Sequence, residues 1–184
     1  MTKLLCFGDS ITYGYMPGGA GRFGPGERYP GLLRELLGPD FSVFEDGVCG
    51  RTTVFRGYFP AGLDDLAASV LNTAADAVVL QLGSNDCMDG YGADAEQIAS
   101  GMAELVRTAR SAAPDLYAIL CAPPALRDEA LYAWEGMSKT SLATAAALPA
   151  AYERTAAELG CGFVDGSAAA AAPADGVHPD AAGH

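Results

Sequence analysis

AVVLQLGSND, residues 77–86, is the stretch that decides the fold. Ala77 to Leu82 reads as a strand, apolar along its length as a strand in the middle of a parallel sheet must be when helices cover both faces. It stops abruptly in Gly83-Ser84-Asn85-Asp86, residues that favour a turn. Working outward, the same pattern recurs. Lys3 to Phe7 is a short apolar run ended by Gly8-Asp9, Phe41 to Phe44 reads as another strand, and Leu116 to Cys121 is closed by Ala122-Pro123-Pro124. Gly162 to Val164 makes a brief last strand. Helical spacing fills the gaps: Arg28 to Leu37 (Leu32, Leu33, Leu36 and Leu37, stopped by Gly38-Pro39), Leu63 to Ala75, and Asp94 to Ala112 (Ile98, Met102, Leu105 and Val106 on one stripe). Thr140 to Leu159 follows as an alanine-rich helix with a break expected at Pro149. Strand and helix alternate without a change in composition. That order predicts a single domain over 1–184, a three-layer α/β fold with a mainly parallel sheet of about five strands. The run Ala168 to Ala172 is low in complexity but too short to be a linker domain.

Composition narrows the function. Half of the 184 residues are hydrophobic, so the chain can bury a sizeable core. Its longest apolar runs, such as Ala77-Val78-Val79-Leu80, are too short to cross a bilayer. Lys3 is followed by only four apolar residues before Gly8-Asp9, which is not the layout of a signal peptide, so a cytoplasmic location is the expectation. The net charge of −12 and the lack of any Lys/Arg cluster argue against nucleic acid and point to small neutral molecules. Five scattered cysteines (Cys6, Cys49, Cys87, Cys121 and Cys161) form no CxxC pair or Cys/His cluster. They read as reduced, mostly buried thiols rather than zinc ligands or disulfides.

In an open parallel sheet, functional residues gather on the loops beyond the carboxyl ends of the strands. Four such loops carry suitable chemistry: Gly8-Asp9-Ser10, residues 45–53 (EDGVCGRTT), Gly83-Ser84-Asn85-Asp86, and Asp175-Gly176-Val177-His178-Pro179. The chain has two histidines, and His184, at the last position, is expected to be mobile. An imidazole base therefore falls to His178, with Asp175 three residues before it to accept from Nδ1–H. The alternative is that Asp-x-x-His merely closes a turn. Ser10 is the matching nucleophile, since a hydroxyl needs an adjacent base; the other reading makes it the cap of a helix beginning near Ile11. Thr12 stands where a G-x-S-x-G elbow has its second glycine, so that motif is not met. Asn85 can give a side-chain N–H and Gly50 a main-chain N–H to an oxyanion, although each also suits a plain turn. Asp86 is expected to shape its loop.

These four blocks resemble those of the SGNH hydrolases, or GDSL-type esterases. Gly8-Asp9-Ser10 is similar to their first block, Gly47 and Gly50 to the second, GSND to the third, and DGVHP to the fifth. The resemblance implies a flavodoxin-like three-layer sandwich without metal or organic cofactor. It makes Ser10, His178 and Asp175 a catalytic triad cleaving carboxylic esters through an acyl-enzyme, with Gly50 and Asn85 at the oxyanion. FGDSITYGY and GRTT resemble the small arylesterase and acyltransferase branch, whose members act on short acyl esters, pass the acyl group to alcohols, and in some cases form homo-oligomers. Arylesterase, lysophospholipase and deacetylase activities share these motifs. Gly50 stands where some members have alanine, which is expected to be harmless because the donor is main chain. The resemblance also implies a helix after the histidine loop, which this sequence does not reach. The rival readings are an acyltransferase with the same acyl-enzyme, favoured by a narrow apolar pocket lined by Tyr13, Phe55 or Trp134, and a non-catalytic α/β binding domain. Substrate choice is expected to lie in the loops 15–23 and 132–139.

Overall fold

The computed structural model of the chain describes residues 1–168 and 175–184. Five strands, β1 (Thr2–Gly8), β2 (Phe41–Gly47), β3 (Ala77–Gln81), β4 (Tyr117–Ala122) and β5 (Gly162–Asp165), form one sheet in the order β2-β1-β3-β4-β5. Every pairing is parallel, with Leu4 opposite both Val43 and Ala77, Ala77 opposite Tyr117, and Ile119 opposite Gly162. The helices are α1 (Ser10–Tyr13), α2 (Tyr29–Leu37), α3 (Gly62–Thr73), α4 (Ala95–Ala112), α5 (Ala130–Ala133) and α6 (Lys139–Leu159). No helix among the described residues is long and apolar enough to cross a membrane.

Alternation along each strand divides the core. Leu5, Phe7, Val78, Leu80, Leu82, Ala118 and Leu120 point to one face and pack with Leu66 and Val70 of α3, Ile98, Met102 and Leu105 of α4, and Leu148 and Tyr152 of α6. Leu4, Cys6 and Val43 point to the other face, where Tyr29, Leu33 and Leu37 of α2 meet them. Helices on both sides of a parallel sheet give the expected three layers.

The strands and longer helices lie where the sequence predicts them, within one to three residues. β2 continues to Gly47 because its polar end is satisfied: Glu45 accepts from Arg28 and Arg34, and Asp46 accepts from Arg51 and Ser69. The break expected at Pro149 is absent, and α6 runs unbroken through it. Its proline lacks one helical hydrogen bond, but buried Ala145, Leu148, Ala151 and Tyr152 hold both halves against the sheet. A capping box at Ser138 starts α6 and left-handed Gly160 ends it. Of the run Ala168 to Ala172, all but Ala168 lie outside the described residues.

Strand order reverses between β1 and β3, the position where such sheets open a crevice beyond their carboxyl ends. There the chain turns from β1 straight into α1. A Cβ on Gly8 would lie 2.0 Å from Thr12 Oγ1 and 2.5 Å from the Gln81 carbonyl, so only glycine permits so tight a turn.

Candidate active site

All four loops meet at this crevice. Ser10 Oγ lies 2.8 Å from His178 Nε2, and His178 Nδ1 lies 2.9 Å from Asp175 Oδ2. The three side chains are buried. Burial pulls the Asp175 carboxyl upward, but hydrogen bonds from the His178 ring and from the His178 and Val177 N–H groups outweigh it and hold the group well below the usual carboxylate range. An ionised carboxylate only accepts, so Nδ1 carries the proton and Nε2 is left to accept from the Ser10 hydroxyl. Gly18 N–H also donates to Asp175 Oδ2, at 3.2 Å, tying the loop after α1 to this carboxylate. The cap of α1 is Asp9, whose Oδ1 accepts from Ile11 N–H, and Ser10 is the first helical residue. Its hydroxyl is thereby free to face His178.

Asn85 Nδ2 donates to the Arg51 carbonyl at 3.0 Å, which fixes the amide with its nitrogen toward the cavity wall and leaves a second N–H. The main-chain N–H groups of Ser10 and Gly50 donate to no acceptor among the described residues. Three donors thus border the space beside Ser10 Oγ. Arg51 braces them: fully buried, it donates to the Gly8 and Asp46 carbonyls, pairs with Asp46 Oδ1 and lies over the Phe7 ring. Sequence reasoning gave Arg51 no role, and nothing local in GRTT distinguishes a buried arginine from a solvated one. Asp86 ties its loop to the 45–53 loop, with Oδ1 accepting from both Thr53 N–H and Thr53 Oγ1.

Gly50 has φ +82°, and a Cβ there would sit 2.4 Å from Phe59 Cδ1. Alanine at this position is therefore not harmless in this chain. The main-chain donor would survive, but the ring of Phe59 would have to move.

The residues enclose a cavity of about 340 Å³ with Tyr15, Phe59, Met88, Trp134, Met137 and Val177 on its walls. Both loops expected to set substrate choice reach it. Of the three aromatic residues expected there, only Trp134 lines it. Tyr13 lies under the Arg22 guanidinium, Phe55 packs with Tyr91, and Tyr15 and Phe59 stand at the cavity instead. The His184 ring packs edge-on against Phe23 and accepts from Tyr29 N–H at 3.4 Å. The turn at Asp180, which accepts from Ala182 and Gly183 N–H, puts it there. The five cysteines are unpaired; Cys6 and Cys87 are buried, and Cys49 is exposed on the cavity wall. Among the described residues no three His, Cys, Asp or Glu side chains gather to hold a metal ion.

Two buried carboxyls lie behind the site. Burial raises Asp9 to about 7 against its hydrogen bond from Ile11 N–H, and raises Asp86 to about 6 against those from Thr53. The unfolded chain releases these protons near pH 4, whereas the folded chain retains them until pH 6–7. The folded state therefore binds more protons in that window, and stability falls as pH rises through it. Asp9→Asn keeps the cap acceptor and removes one titration. We expect its melting temperature to fall less steeply between pH 4 and 7 than that of the wild type, with Asp86 supplying the remaining slope. Equal slopes would mean that Asp9 is already ionised at pH 4.

The family model described as GDSL-like Lipase/Acylhydrolase matches residues 6–184. A carbohydrate acetylesterase family member from Sinorhizobium meliloti superposes with a TM-score of 0.92 at 33% identity, over 100% of this chain and 92% of that one. The native aryl esterase of M. Smegmatis gives 0.90 at 26%, over 100% and 93%. An acetylxylan esterase from Xylanibacter ruminicola is 33% identical over 84 residues, which is 46% of this chain and 17% of that protein.

Proposed function

The chain belongs to the GDSL-like lipase/acylhydrolase family, and on that premise we propose that this carboxylic ester hydrolase works by a Ser-His-Asp triad on small, neutral esters of short acyl groups. The observation that carries the reading is the unbroken hydrogen-bonded line Ser10–His178–Asp175, drawn from loops 165 residues or more apart in the sequence.

In the proposed reaction Ser10 Oγ attacks the ester carbonyl carbon while its proton passes to His178 Nε2. Asp175 stabilises the imidazolium through Nδ1–H. The negative charge that forms on the carbonyl oxygen is met by the free N–H of Asn85 and the main-chain N–H groups of Ser10 and Gly50. His178 then gives its proton to the departing alcohol oxygen, leaving an acyl group on Ser10. Water enters, loses a proton to Nε2 and attacks the acyl carbon. Collapse returns that proton to Ser10 and releases the acid. The largely apolar walls favour an uncharged ligand, and the acetyl and aryl esters named for the similar proteins fit a cavity of this size. The same walls support a second reading, in which an alcohol intercepts the acyl-enzyme. Adding benzyl alcohol and analysing for its acetate separates the two.

A fluorophosphonate probe tests the reading: it should add to one site, Ser10, and p-nitrophenyl acetate should compete. A purely binding domain would take up no probe. For the oxyanion donor, Asn85→Ala should lower kcat by about 100–1000-fold, with the melting temperature within a few degrees of the wild type. An unchanged kcat would remove Asn85 from the mechanism.

A further inference from the structure

Two aromatic rings from distant parts of the chain rest on the His178 imidazole. Tyr15, just after α1, has its ring centroid 4.6 Å away at an interplanar angle of 46°. Trp134, which ends α5, lies 5.4 Å away, edge to face. Its indole Nε1–H donates to the Asp175 main-chain carbonyl at 3.2 Å. One side chain thus touches the imidazole and also fastens the loop that carries it. The fastening is continued by Gly18 N–H on Asp175 Oδ2 and by Arg127 N–H on the Gly176 carbonyl. Apart from those two bonds, the indole and the bond between His178 Nε2 and Ser10, the hydrogen bonds of the turn from Asp175 to His178 among the described residues lie within it.

We propose that Tyr15 and Trp134 are positioning residues for His178: Trp134 locks the Asp175–His178 turn through its indole N–H, and Tyr15 stabilises the protonated imidazole through its ring. The inference rests on the triad reading above but is separable from it. A cation within about 6 Å of an aromatic centroid is attracted to the ring, and the imidazolium formed in each half-reaction would meet that condition at Tyr15. A neutral imidazole gains less, so the ring favours the proton-holding state. The indole hydrogen bond acts earlier, by narrowing the range of Nε2 positions before Nε2 takes the Ser10 proton.

Both residues also line the cavity, so a loss of rate alone would not separate positioning from substrate contact. The acid limb of kcat/KM does, because it reports protonation of the free enzyme. Other titratable groups surround His178: Asp175 in its own turn, Asp9 just after β1, Tyr15 itself, Cys49 and Glu135 on the cavity wall, and His184. Burial and the charge of His178 push His184 down to about 4, so the profile is measured in a His184→Gln background as well. Tyr15→Leu should shift the acid limb to lower pH by about half a unit, and Tyr15→Phe should leave it in place. Trp134→Phe, which keeps a ring and loses the N–H, should reduce kcat by about 3–10-fold with KM little changed.

A second readout needs no turnover. Trp134 is the only tryptophan in the chain, so intrinsic fluorescence reports directly on the ring beside His178. In the Ser10→Ala protein, fluorescence should titrate with the midpoint of the kinetic limb, and His178→Gln should remove that titration. An acid limb unmoved in Tyr15→Leu, or a titration that survives His178→Gln, overturns the proposal. An active Ser10→Ala protein would instead overturn the triad reading beneath it.

Discussion

Ser10→Ala should lower kcat for p-nitrophenyl acetate by about a million-fold, the scale on which loss of a serine nucleophile removes the covalent route. Little else should change. The Ser10 side chain makes one hydrogen bond, to His178, while the helix start is capped by Asp9 and the tight turn is permitted by Gly8. Alanine fits the same buried position and suits the first turn of a helix. The melting temperature should therefore stay within about two degrees of the wild type, and labelling by a fluorophosphonate should vanish. The two measurements together separate a chemical defect from a folded-state defect. A residual rate above one tenth of wild type would place the reacting group elsewhere.

The second large effect is Asp175→Asn, for which a fall in kcat of about 10,000-fold is expected. Four donors converge on this carboxylate: Val177 N–H and His178 N–H on Oδ1, and the His178 ring and Gly18 N–H on Oδ2. An amide has one acceptor oxygen, so in either orientation its NH₂ faces two donors. If the NH₂ turns toward the ring, Nδ1 must give up its proton, and the tautomer with Nε2–H can no longer accept from Ser10. If it turns toward the main chain, the turn that carries His178 loses two bonds. Unlike Ser10→Ala, this substitution should also lower the melting temperature by several degrees. Raising pH should not restore the rate, because the defect lies in which nitrogen holds the proton. Recovery of most of the activity at high pH would show that Asp175 acts only through its charge.

The layered fold was legible because parallel strands buried on both faces read as short apolar runs, as at Ala77 to Leu82, and because glycine and proline punctuate their ends. The pairing of Ser10 with His178 could be argued from chemistry, since His178 sits in a loop with an aspartate and Ser10 follows the first strand at the same edge of the sheet. What escaped was set by packing. Pro149 reads as a break, yet the buried face of α6 holds the helix together across it. Tyr13 and Tyr15 are indistinguishable by type, and only the left-handed turn at Gly14 decides which one faces the cavity. Arg51 is one of eleven cations in an acidic chain, and its burial depends on carbonyls contributed by β1 and β2. The ring of His184 meets Phe23, a contact between residues too distant in sequence to be read from either alone.

The contact between Gly50 and Phe59 has an evolutionary consequence. A methyl group at position 50 is opposed by the left-handed backbone and by the ring at 59, not by the chemistry of the donor, so the two sites are coupled. A smaller residue at 59 removes the contact with the ring and widens the cavity that Phe59 lines. Relatives with alanine at 50 should carry a smaller side chain at 59 or a ring turned away from it.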